Sequence, residues 1–206
     1  MSRWVKVRSL RVLDWDLENR PLNYAGEDFT FSEITAIAWK FIGEPGPIHA
    51  LCLGPTNLGS MPEGYKEQAG FVVPHRTMLL GFVAAYVQAD LVTGHNIIKH
   101  DLRILNGALL EQGLSPLPPK LVSDTYLHLK RKGGVSGSQE NLAQMLNVKS
   151  SKVGMSQVAW REANRLSDKG IALTRKRVTA DVRQHIQLRR ELLKRNWLKA
   201  PRIWQP

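Results

Sequence analysis

Apolar and polar positions alternate strictly along Val12-Leu13-Asp14-Trp15-Asp16-Leu17-Glu18, the period of a strand whose side chains fall on two faces. Leu13, Trp15 and Leu17 predict a core face, and Asp14, Asp16 and Glu18 predict a row of carboxylates on the other. Residues 34–42 and 48–53 are rich in β-formers and are separated by a turn over 43–47, so a second and a third strand should follow in an antiparallel meander. Residues 19–27, with Pro21, Asn23 and Gly26, read as a connection, and 54–74 as a long loop at a binding surface. The pattern then becomes helical over 76–88, strand-like over 90–94, helical again over 98–112 and strand-like over 121–125. That alternation predicts parallel crossovers. Three further helices are expected: one capped by Ser138 and running through Leu146, one over 157–166, and a last one over roughly 173–197. No internal repeat or linker divides the chain, so one domain over 1–206 is expected, with a basic helix and tail from about residue 171 packed on it.

Composition narrows the chemistry. A chain of 206 residues is long enough for one full core. Its net charge of +11 and pI near 10.0 point to a polyanionic partner. A membrane surface would also attract this charge, but a basic chain bearing a carboxylate row suits a phosphodiester substrate better. Cys52 is the only cysteine, which excludes a disulfide within the chain and makes the cytoplasm the default compartment. It lies in an apolar run and reads as a structural thiol. The basic start is not followed by an apolar signal segment, and the longest apolar stretch, 78–87, is too short to span a bilayer.

Like charges on one strand face repel unless a cation sits among them, and a divalent metal is the natural candidate for Asp14, Asp16 and Glu18. Two later segments supply more polar groups. Gly94 ends a strand, the polar pair His95-Asn96 follows, and Asp101 sits in the first turn or so of the next helix; in an α/β sheet functional groups gather beyond such carboxyl ends. In the final helix, Arg177, Asp181 and His185 are spaced by four on one face beside inward-packing Val178 and Val182.

In this order, Asp-x-Glu on a first strand, Gly-His-Asn with Asp101 five residues after Asn96, Asp124-Thr125 on a fifth strand and Asp181-Val182 in a late helix resemble the DEDD 3′-to-5′ exonucleases. These are proofreading-type nucleases, and the resemblance covers roughly residues 11–193. It implies a ribonuclease-H-like α/β fold with a mixed five-stranded sheet in the order 3-2-1-4-5 and helices on both faces. It also implies that Asp16, Glu18, Asp101 and Asp181 are catalytic and hold two Mg²⁺ or Mn²⁺ ions, with Asp14 outside the motif. In the general two-metal scheme the ions sit roughly 3.5–4 Å apart, one activating a water and both stabilising the attacking and leaving oxygens. Strand neighbours Asp16 and Glu18 share a face and can reach one ion.

The resemblance breaks where the family usually places a Tyr four residues, or a His five residues, before the last Asp. Those positions hold Arg177 and Lys176, and an arginine cannot act as a general base. His185, His100 and Lys176 are the candidates to orient or deprotonate the water. His95, Asn96, Asn19, Arg103, Lys152 and Arg177 are the expected nucleic-acid contacts, although Asn19 and Arg103 depart from common family choices. Asp124 and Thr125 are expected to be structural, and Trp160 core. The basic loop 130–132 and the final helix could track a phosphate backbone. The whole suggests hydrolysis of single-stranded DNA 3′ ends by a stand-alone or phage-type replication or repair enzyme, which would act in the cytoplasm, or in the host cytoplasm if phage-encoded. A non-catalytic binding module, an exoribonuclease and a junction resolvase are the alternatives.

Overall fold

The computed structural model describes residues 10–22, 31–54, 71–130 and 134–206. Among them one mixed sheet runs in the order β4-β3-β2-β1-β5-β6-β7, built from β1 (Val12–Leu22), β2 (Phe31–Phe41), β3 (His49–Leu53), β4 (Val72–Val73), β5 (Leu91–Gly94), β6 (Lys120–Asp124) and β7 (Arg202–Trp204). β1, β2 and β3 form the antiparallel meander, and β5 and β6 join β1 in parallel. The five inner strands thus stand in the expected 3-2-1-4-5 order.

Two short strands extend it. β4 pairs parallel to β3 at the end of the expected loop, and β7 pairs antiparallel to β6 in the tail. Elements of two or three residues carry too little periodicity to be read from a sequence. β1 also runs further than its alternation indicates: residues 19–22, expected as a connection, pair with β2 beyond a bulge between Glu18 and Asn19. Residues 23–30, residues 55–70 of the expected loop, and Arg131 and Lys132 of the basic loop lie outside the described residues.

The described helices are α1 (His75–Gln88), α2 (Asp101–Glu111), α3 (Thr125–Leu129), α4 (Gln139–Met145), α5 (Gln157–Asn164) and α6 (Asp168–Lys194). Serines cap three of them: Ser138, as expected, and also Ser156 and Ser167 each accept a backbone N–H from the first turn. α6 starts earlier than expected because Ser167 caps it ahead of the apolar spacing. Gly170 in its first turn lies directly against the backbone of Glu162 in α5, where any Cβ would collide.

The alternation of β1 separates two layers. Trp15 is buried against Phe82 of α1, ring centroids 4.6 Å apart, and Trp39, its partner across the β1–β2 ladder, meets the same ring at 5.7 Å. Burying an aromatic side chain of this kind contributes about 1.5–3 kcal/mol, which anchors β1 from that side. On the other face α6 packs through fully buried Val178 and Val182. Cys52 is buried in β3, and burial pushes its thiol up to about 12, as suits a structural residue. Among the described residues, no helix is long and apolar enough to cross a membrane. The architecture is a ribonuclease-H-like α/β fold.

Candidate metal centre

The site arises from a match of periods between β1 and α6. Side chains two apart on a strand are separated by roughly 6.6 Å, and side chains four apart on a helix by about 6 Å. Asp14, Asp16 and Glu18 therefore meet His185, Asp181 and Arg177 rung by rung, with the helix antiparallel to the strand. In the first rung Arg177 Nε donates to Glu18 Oε1 at 2.6 Å. In the last, His185 Nδ1 lies 2.7 Å from Asp14 Oδ2. The middle rung is different: Asp16 faces Asp181, acid against acid. Ligand oxygens of Asp16, Glu18 and Asp181 all lie within 4.8 Å of one another. Room for this cluster comes from β2, which places Ala38 opposite Asp16 and Ala36 opposite Glu18.

Asp101 stands beside this trio rather than in it. β5 pairs with β1 only from Val12 to Asp14, because the chain turns away at Gly94, so the Leu17 N–H has no ladder partner on that side. The Asp101 carboxylate, in the first turn of α2, accepts that N–H. Gly94 makes the turn feasible: a Cβ there would sit 2.8 Å from the Trp15 carbonyl oxygen. Asp124 holds the turn's far side, accepting the N–H groups of Asn96 at 2.9 Å and Ile98 at 3.0 Å while capping α3 through Leu127. Its structural role is as expected from the sequence.

Concentrated negative charge at low exposure raises every carboxyl in the cluster. Burial and the neighbouring Asp101, Asp181 and Glu18 hold Asp16 well above the usual carboxylate range. Burial pushes Asp101 up to about 7, against the two backbone N–H bonds it accepts. For Glu18, burial outweighs the opposing Arg177; for Asp181, it outweighs Lys152 and Arg177. Arg177 itself is held above the ordinary guanidinium range, because Glu18 and Asp181 overcome its partial burial.

The other expected site residues divide. Lys152 is in the site, its Nζ donating to Asp181 Oδ2 at 3.1 Å, and it is held by Glu140, which accepts the Lys152 N–H. Arg177 also donates to the Val153 carbonyl at 3.0 Å and lies 5.1 Å from the Trp160 ring. Trp160, expected in the core, is half-buried and faces this guanidinium instead. Neither Lys176 nor His100 is buried, and no side-chain bond ties His100 into the α2 cap. Arg103 is exposed and lines a depression with Ile104 and Gly107. Asn19 is half-buried at the β1 bulge. Asn96 adopts φ 68°, a backbone conformation Asn tolerates, with its side-chain oxygen buried and unbonded.

His185 does not stand at the carboxylate trio. Its Nε2 meets Thr125 Oγ1 at 3.0 Å, and that hydroxyl in turn meets His95 Nδ1 at 2.9 Å, with His95 Nε2 on the Gly137 carbonyl at 2.8 Å. Asp14, His185 and Thr125 have the connectivity of a hydrolytic triad. However, Asp14 and Thr125 have no exposed surface and His185 has 2%, so no substrate can reach the hydroxyl. This polar chain fastens α6 to β1 and to the start of α3. In the sequence its members stood out separately, His185 by the four-residue spacing of α6, Asp14 by the strand alternation, and His95 and Thr125 by their motifs, with nothing to join them.

The donor set fits a hard divalent cation, which takes oxygen ligands and often only one or two carboxylates. Asp181 is 4% exposed, and while its Oδ2 accepts from Lys152, its Oδ1 is buried without a partner. A buried oxygen with full acceptor capacity beside two more carboxylates is what a cation would satisfy.

No protein-family model matches the chain, and no curated protein matches it. Among solved structures it is similar to the family B DNA polymerase of the hyperthermophilic archaeon Pyrobaculum calidifontis, with a TM-score of 0.64 and 19% identity over 90% of this chain and 25% of that one. The chain thus spans about a quarter of that polymerase's length, and at this identity the likeness establishes the fold.

Proposed function

We propose that the protein is a metal-dependent 3′-to-5′ exonuclease of the DEDD type, removing nucleoside monophosphates from single-stranded DNA ends. The observation that carries this reading is the convergence of Asp16, Glu18 and Asp181 on one point, with Asp101 beside them. Mg²⁺ or Mn²⁺ held there would supply Lewis acidity and an activated water. The chain's own groups do the rest. Asp16 and Asp181 hold the cation, Asp101 fixes the β1 backbone between the ligands, and Lys152 and Arg177 offer positive charge to the scissile phosphate. No histidine, tyrosine or other general base is assigned, since His185 is committed to Asp14 and Thr125. The likeness to part of a DNA polymerase, together with the net charge of +11, supports DNA as the substrate; RNA fits the same charges.

A second reading has its own support. Arg177 and Lys152 already neutralise part of the cluster, as they would in a binding module without hydrolytic activity. One experiment separates the two. With 5′-labelled single-stranded DNA, matched RNA and circular DNA in Mg²⁺ or Mn²⁺, the exonuclease gives a stepwise ladder on the linear DNA only. Asp181→Asn should slow it by at least about 100-fold, the scale of losing one charge-stabilising group at a reacting centre. Salt-sensitive binding with no ladder in either metal would select the binding module.

A further inference from the structure

Resting on the metal-dependent reading, we propose that the centre takes one divalent cation per chain, the Arg177 guanidinium occupying the place of a second. The three rungs between β1 and α6 are not equivalent. Glu18 is answered by Arg177 at 2.6 Å and Asp14 by His185 at 2.7 Å, so two of the three strand acids already have partners. Asp16 and Asp181 form the one rung in which acid meets acid, and the buried, partnerless Asp181 Oδ1 lies there. Two carboxylates are enough to hold one Mg²⁺ or Mn²⁺.

Arg177 is fixed as a built-in ion would be. Its Nε is on Glu18, its Nη1 is on the Val153 carbonyl at 3.0 Å, its Nη2 lies 3.9 Å from Asp181 Oδ2, and Trp160 flanks it. A guanidinium is permanently charged, and its planar fork resists displacement by offering several directed donors at once. Charge counting agrees. When ionised, Asp16, Glu18, Asp101 and Asp181 carry four negative charges, and Arg177 and Lys152 return two positive ones. The remainder of two matches a single divalent cation. Arg177 is thereby a positioning residue that holds Glu18 and leaves its remaining donor face toward the phosphate.

The test counts ions on the full chain without nucleic acid, by calorimetric titration with Mn²⁺ and by the Mn²⁺ paramagnetic resonance spectrum at excess metal. Wild type should bind one ion and give the six-line spectrum of an isolated Mn²⁺. Arg177→Gln and Arg177→Tyr, which remove the charge, should bind two ions and give a spin-coupled spectrum, and Arg177→Lys should stay at one. Circular dichroism establishes that each variant is folded, and two neutral variants guard against one that is not. Two ions in wild type overturn the inference, and so does one ion in both wild type and the folded neutral variants. No binding by any chain removes the metal centre itself, and with it the reading on which the inference rests.

Discussion

Asp101, Asp16, Glu18 and Asp181 are individually unfavourable as anions, since burial raises each of them in the folded chain. Unfolded, they would titrate at about 4. With folded values above unfolded ones, the folded chain holds more protons in the interval between, and stability falls as pH rises through it. The contribution is fully present below about pH 4 and, for Asp101, is lost as pH passes about 7. The metal-free protein should therefore show a melting temperature that declines between these limits. Excess Mn²⁺ should flatten the upper part of that profile, because the cation replaces the protons. Thermal melts across pH with and without metal measure both, and a metal-free profile that rises toward neutrality would contradict the electrostatics described here. At this scale the sequence was informative: alternation placed Asp16 and Glu18 on one face, and helical spacing aligned Arg177 with Asp181. Their partners were not legible, because no local pattern says which strand a helix face will meet.

Between elements, β1 is tied to α6 by two satisfied rungs, Glu18–Arg177 and Asp14–His185, and the Asp14–His185 rung is the one removed from solvent. Replacing His185 by Leu leaves the Asp14 carboxyl buried without its partner, a change that costs about 3–5 kcal/mol. Replacing both, Asp14→Val with His185→Leu, should recover a substantial part of that loss. Denaturant unfolding of the two variants checks this, and equal losses in both would mean that the pair is not coupled. The inner five strands were readable because each has four or more residues of consistent pattern. β4 and β7 were not, since their pairing is set by the neighbours β3 and β6. The start of α6 was likewise masked, with Gly170 in its first turn serving close contact with α5 rather than helix propensity.

For the whole molecule, a charge of +11 predicts how the proposed nuclease would meet nucleic acid. α6 carries exposed Arg183, Arg190 and Lys194 beyond the site. Contacts of this kind release counterions, so the logarithm of the affinity for single strands should fall with the logarithm of salt by about 0.7 per phosphate neutralised. Charge removal at Arg183 and Arg190 together should flatten that slope by up to roughly 1.4 without altering the Mn²⁺ count. Fluorescence anisotropy across a salt series reads it, and an unchanged slope would place the binding surface elsewhere. The fold also has a temporal consequence. Glu18 and Arg177 stand 159 positions apart, and Asp14 and His185 stand 171 apart. Contacts so distant along the chain form late. A partly synthesised chain holds Asp16, Glu18 and Asp101 without Asp181 or Arg177, so the proposed metal centre is complete only once α6 docks.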